Sequence, residues 1–480
     1  MGGGLIQLVA YGAQDIYLTG EPQITFVKSV YLRHSNFALE SIEITFSDIV
    51  KVNTRISILI PRNGDLLKRL WIEYNPSLLL SGSIEQNINN KRILNTIGSD
   101  FSHALIDQVE IEIGGVVIDR HYGKWLSIWR DLTQVNPYAL QSSLSLRGSE
   151  NTGELGTLYD QMAFTHKGVC SSTNVNPNIL LSGGVSTENT PTTAYIPLQF
   201  WFCKNPGLAI PLISLQYSDV RLNINLSNFP SFLCRSLYTP FTINEYINLD
   251  SFKIFGDYVY LDSLERTKFV QNTHEYLIEQ LQVQNTSGLK NIKLNFKQMV
   301  KELIITGNPE PTSTFFIPGE AAQPTNIKDH TSFLYLTDGE ATPRPIVIRD
   351  GTGYYDIETL ANNSGVDASS TTNVKLQLVI NGKDQFTPKN LKYFTRNQIY
   401  DHHTGNPGTY GTIGVYSFAL HPEEHQPSGA CNFSRIDDCR LIFTGFDDSV
   451  NERLNPLDVY ATTYNILNIT SGMGGVVYSN

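Results

Sequence analysis

The stretch "HPEEHQPSGAC", residues 421–431, gathers His421, Glu423, Glu424, His425 and Cys431, and these are the side-chain types that hold zinc. Their order is not that of a zinc helix: the HExxH spacing, which stacks two imidazoles on one helix face, is missing, and Pro422 and Pro427 stand on either side of Glu423–His425. A solvated loop is expected. His402-His403 is adjacent rather than alternate, so on an extended chain the two rings would point to opposite faces and could not share an ion. Glu423-Glu424 and Asp447-Asp448 are paired carboxylates only by sequence, whereas glycoside hydrolysis needs two carboxyls that face each other. "DGTGYYD" (350–356) has neither the spaced glycines nor the lysine of a phosphate loop and reads as a turn. No catalytic residue, metal ligand or cofactor site is assigned, and the chain is not expected to be an enzyme.

Elements that could position anything else follow from composition and pattern. The 480 residues exceed the size at which one core stops growing, so two domains are expected, and 24 Tyr, 23 Phe and 36 Gly favour strands and tight turns. A formal net charge of −11 without clustered Lys and Arg argues against direct contact with nucleic acid. No apolar run is long enough to span a membrane, and residues 5–11 lack the flanking charge and length of a secretory signal. Ile6 stands where a myristoylation motif wants Ser or Thr. Five cysteines without a CxxC pair read as reduced, buried thiols of a cytosolic chain.

Strand signals dominate. In "VEIEIGGVVID", Val109, Ile111 and Ile113 alternate with Glu110 and Glu112, and Gly114-Gly115 supplies the positive φ of a tight hairpin. "KLQLVINGKDQF" repeats the arrangement around Asn381-Gly382. The likeness extends further: "LKRLWIEY" (67–74) aligns with "VKELIITG" (300–307), and "SDVRLNI" (218–224) with "DDCRLIF" (437–443), in the same order along the chain. Residues 134–193 and 308–372, rich in Ser, Thr, Asn, Gly and Pro, read as long inserted loops. One helical segment stands out at 122–132, where Trp125, Ile128 and Trp129 recur at helical spacing and are expected to cover a core. Two β-sandwiches of jelly-roll type, built on one plan and joined near residue 265, account for all of this.

With no site on a duplicated, loop-decorated scaffold, assembly becomes the leading function. Here "GGGLIQLVAYGAQDIYLTGEPQITFVKSVYLRHSNFALESIEITF", "VEIEIGGVVIDRHYGKWL", "IPLQFWFCKNPGLAIPLISLQYSDVRLNI", "HEYLIEQLQ", "QPSGACNFSRIDD" and "YNILNITSGMGGVVYSN" together closely resemble the major capsid proteins of nucleocytoplasmic large DNA viruses. The resemblance implies an all-β fold of two tandem eight-stranded antiparallel jelly rolls (a double jelly roll), with long inserted loops and an N-terminal arm. It implies a homotrimer of pseudo-hexagonal outline that meets neighbouring capsomers in an icosahedral shell around an internal membrane and a double-stranded DNA genome. Minor capsid proteins would lie beneath that shell, and the chain itself would neither enter the membrane nor touch the genome. The expected location is the virion, after synthesis and assembly in the host cytoplasm. The expected division is 1–35 arm, 36–265 first jelly roll and 266–480 second.

In the arm, Leu5, Ile6, Leu8, Tyr11, Ile16, Tyr17, Leu18, Ile24 and Phe26 cannot form a core alone and are expected to be buried against the jelly rolls or a neighbouring subunit at the capsomer base. Of five N-x-S/T sequons, at Asn225, Asn285, Asn362, Asn432 and Asn468, Asn362 is the one that falls in a long loop. Nearer alternatives are a minor capsid or vertex protein, which in this family usually has one jelly roll; more remote are a β-sandwich carbohydrate-binding protein, with a concave aromatic site, and a hydrolase with facing carboxylates.

Overall fold

The computed structural model describes residues 33–51, 53–75, 101–134, 193–227, 251–287, 289–307, 374–405, 413–445 and 457–478, with Glu21, Leu249 and short pieces within 86–97, 158–165, 233–234, 314–345 and 453–454. By internal contacts the chain forms two units, Met1–Phe37 and Ala38–Asn480, and the second holds all the sheets described below. The nine arm residues named above, Asn362, Asp447-Asp448, residues 350–356 and most of the two long loops lie outside the described residues.

Among the described residues, eight strands make the two four-stranded sheets of the first half. They are β1 (Phe37–Ile44), β2 (Arg55–Leu59), β3 (Leu66–Tyr74), β4 (Ile106–Ile113), β5 (Val116–Tyr122), β6 (Ala194–Pro197), β7 (Val220–Leu226) and β8 (Lys253–Leu261). Helix α1 (Gly123–Thr133) follows β5, and helix α2 (Trp201–Lys204) follows β6. The sheets run β1-β8-β3-β6 and β2-β7-β4-β5, all neighbours whose register is resolved being antiparallel. Alternation decides which side faces inward: in β2, Ile56 and Ile58 are fully buried while Arg55, Ser57 and Leu59 are exposed. Gly114 and Gly115 join β4 to β5 with φ of 59° and 84°, the two positive values that a tight type I′ turn demands.

A capped linker helix, α3 (Ser263–Gln271), leads onward; Asp262 accepts the Glu265 amide at its start, and Arg266 is anchored to buried Asp65 at 2.8 Å. The second half then repeats the first with β9 (His274–Asn285), β10 (Asn291–Lys293), β11 (Met299–Gly307), β12 (Lys375–Ile380), β13 (Lys383–Asp384), β14 (Ile413–Ser417), β15 (Cys439–Thr444) and β16 (Leu457–Thr470). Its sheets run β9-β16-β11-β14 and β10-β15-β12-β13, the same order strand for strand, with β17 (Met473–Val476) added beside β16. Asn381 and Gly382 turn β12 into β13 with φ of 48° and 75°. The aligned segments fall on equivalent strands: Leu67, Leu70 and Ile72 of β3 fill the first core as Val300, Leu303 and Ile305 of β11 fill the second.

The jelly-roll order sends connections alternately to two ends. At one end the β4–β5 turn meets the β6–β7 connection, Gly114 donating to the Asp219 carbonyl, and in the second half Asn381 donates to Asp438. These ends lie together, because Tyr217 donates to the Gly472 carbonyl beyond β16. The long connections 75–106, 134–194, 307–375 and 444–457 all leave from the opposite ends of their strands.

Gly123 is among the glycines fixed by space alone. A Cβ on Gly123, where β5 turns into α1, would sit 2.0 Å from the His103 carbonyl oxygen and 2.1 Å from that of Ile106. Gly123→Ala is expected to destabilise by about 3 kcal/mol or more, since only backbone could move aside; Gly475→Ala, with nothing within 4 Å, is expected to stay within about 0.5 kcal/mol of the parent in denaturant unfolding.

Candidate functional site

The densest chemistry among the described residues lies where the two jelly rolls meet. Helix α1 is buried nearly all round, as a helix with apolar residues on more than one face must be. Leu126 faces the first core, while Trp125, Ile128, Trp129 and Leu132 press onto the outer face of the second roll against Leu281, Ile304 and Tyr460, with Ile399 of α4 (Gln398–His402) in the same cluster. The Trp125 ring lies 5.4 Å from Tyr460 and 5.5 Å from Trp129. The carbonyls left over at the end of α1 find donors in the second roll: Gly405 donates to Leu132 at 2.7 Å, and the Thr404 hydroxyl to Thr133 at 3.2 Å.

Charges cross the same seam. Lys124 meets Asp458 at 2.6 Å. Lys204 lies 3.9 Å above the Trp129 ring and 3.3 Å from Glu279, whose other oxygen takes the ammonium of Lys301, a side chain only 1% exposed. Burial alone would raise the Glu279 pKa, but the two lysines outweigh it and hold the carboxyl below its ordinary value. Asp119 of β5 accepts the Leu281 amide across the seam and holds His121 at 3.0 Å, and the His121 ring stacks on Phe200 at 4.7 Å.

The motifs considered for catalysis are dispersed. His403 is the residue after α4, fully buried, with Nε2 at 3.0 Å from Glu302 and Nδ1 at 3.0 Å from Glu423. His402 instead turns its ring to the Leu420 carbonyl, so the rings diverge because the helix ends between them and not because of strand pleat. Glu423 departs from the solvated-loop expectation: it is drawn inward to His403 and to both the amide and the hydroxyl of Thr404. Cys431 pairs with Val300 of β11. Burial pushes the Cys203 and Cys439 thiols up to about 12, which leaves them protonated and inert at neutral pH.

Sequence reasoning missed the ion network. The usable signal was in "VKELIITG", where Lys301 and Glu302 interrupt an apolar strand; the register with β16 slips at that point, and the slip turns both charges away from the core cluster. Burial would lower the His403 pKa, but the Glu302 and Glu423 carboxylates raise it to about 9. Both carboxyls are held below their ordinary value by His403 against burial. The signs follow: the raised histidine contributes stability in full below about pH 6.5, up to about 3 kcal/mol, and loses it as pH rises through about 9. The carboxylates contribute above their ordinary pKa and lose it as pH falls below. Thermal melts are therefore expected to show a fall in Tm between about pH 6.5 and 9.5 that is clearly shallower in His403→Gln; equal slopes would remove the network from that role.

Comparison with known proteins places this architecture. Residues 25–262 match the family described as major capsid protein N-terminus, and residues 265–475 match large eukaryotic DNA virus major capsid protein. The major capsid proteins of Phaeocystis pouchetii virus and Pyramimonas orientalis virus are each 37% identical to the chain, and that of Paramecium bursaria Chlorella virus 1 is 33% identical, with 100% of both chains covered in every case. Among solved structures, the Paramecium bursaria Chlorella virus 1 capsid superposes with a TM-score of 0.64 at 28% identity, over 95% of this chain and 100% of the other. The Faustovirus major capsid protein, at 13% identity and a TM-score of 0.59 over 96% and 94%, shares the fold. Two jelly rolls of one strand order, full-length likeness at this level and matches that meet at the linker helix have one meaning: the chain belongs to the major capsid proteins of large eukaryotic DNA viruses.

Proposed function

We propose that the chain is the homotrimeric capsomer of an icosahedral shell, with a pseudo-hexagonal outline, and that it divides into an arm (1–35), a first jelly roll (36–265) and a second (266–480). The observation that carries this is the side-by-side pairing of two rolls with identical strand order and with corresponding ends together. Three such chains place six similar wedges around a threefold axis, which is what a hexagonal lattice needs from a trimer. The family matches meeting between residues 262 and 265 support the division.

In this reading the long connections at one end of the rolls crown the outward face. The arm joins the base, where its apolar residues meet the rolls, a neighbouring subunit or the minor capsid proteins beneath. The acidic balance suits a shell separated from its genome by a membrane, with no direct contact to nucleic acid and no insertion of its own. The role is structural, without catalysis, and assembly takes place in the host cytoplasm.

Light scattering after size exclusion is expected to give three times the chain mass, and a strictly monomeric protein over a wide concentration range would overturn the capsomer reading. Deleting residues 2–25 is expected to impair shell or trimer formation; unchanged assembly would remove the arm from that role. Limited proteolysis of assembled particles is expected to cut within 134–193 and 308–372 first.

A further inference from the structure

The outer face of the second roll is covered by α1, and the internal repeat identifies the corresponding face of the first roll. Aligning "LKRLWIEY" with "VKELIITG" makes Trp71 the counterpart of Ile304. Register carries the match to neighbouring strands: Phe255 stands opposite Trp71 as Tyr460 stands opposite Ile304, and Pro197 as Val415. Two residues further along β3 and β11, Tyr195 corresponds to Ile413. In the second roll all four positions are at most 2% exposed. In the first roll all four are apolar or aromatic yet only half-buried, and Trp71 makes ring contacts with Tyr195 at 5.5 Å and Phe255 at 6.3 Å. An outward sheet face of solvated residues would not carry this set.

The covering element repeats too. After the last strand of its hairpin, the first roll continues into α1 with Ile128-Trp129; the second continues into helical turns over 391–402 with Ile399-Tyr400. Ile399 is buried in the seam cluster, but the next residue, Tyr400, is 87% exposed.

We propose that a second copy of this chain seats the helical segment around Tyr400 on the Trp71, Tyr195, Pro197 and Phe255 face, repeating between chains the contact that α1 makes within one. The proposal rests on the capsomer reading and names its interface. The contact is heterologous, so it propagates from copy to copy and closes when the sixth roll meets the first, at three chains.

The test uses full-length Tyr400→Asp and Trp71→Arg, each checked by thermal melting, with masses from light scattering. Each variant alone is expected to be monomeric, its assembly weakened at least about thirtyfold. A mixture of the two is expected to stop at a dimer, because one copy keeps an intact face and the other an intact helix. If the parent is trimeric and both variants remain so, this interface is wrong and the capsomer reading stands. A parent that is not trimeric fails that reading and takes this interface with it. Should either variant fail to fold, hydrogen exchange on the parent decides: protection of residues 71–73, 195–197, 254–256 and 398–402 in the trimer relative to dilute monomer supports the contact, and unchanged exchange there overturns it.

Discussion

Sheets in a β-sandwich bury one face and leave the other to water, and the second roll breaks that rule. Its outer face carries Ile304, Tyr460, Ile413 and Val415, none of which tolerates solvent without loss, and their cover includes the indoles of a helix that belongs to the first roll. Relative placement of the two halves follows from this one contact. The linker helix α3 has no buried residue and could not set an orientation; the wedge of α1 does. Around it the polar groups have few alternatives: helix carbonyls take donors from the other roll, and a carboxylate of β5 takes a backbone amide of β9.

Buried ions give the seam its geometry more than its strength. Replacing a buried pair by apolar residues is often neutral, whereas removing one partner commonly costs about 3–5 kcal/mol. Lys204, Glu279 and Lys301 therefore act as a register pin: the arrangement is satisfied in one relative position and is penalised in all others. Glu302, His403 and Glu423 do the same for the segment that caps α1, since Thr404 and Gly405 follow directly on the histidine.

Much of the fold was legible because jelly-roll strands write their inward face every second residue, as in "RISIL", and because both hairpins use residue pairs that accept positive φ. Duplication was legible for the same reason, since equivalent strands such as β3 and β11 bury equivalent positions. The role of α1 was legible only in part: its spacing showed a face to be covered, but the covering partners lie more than a hundred residues later and share no pattern with it. The ion network was hidden more deeply, because Glu423 and His403 look like loop residues until a strand twice removed in sequence supplies Glu302.

The distance along the chain between α1 and its partners also sets a clock. Lys124 and Asp458 are 334 residues apart. At about 5–20 residues per second, translation takes on the order of twenty seconds to a minute to bring the second after the first. In the later part of that interval, once β8 ends at Leu261, the first roll is complete while Trp125 and Trp129 still lack the second-roll residues that cover them, so a nascent chain carries a paired-indole patch that exists in no finished subunit.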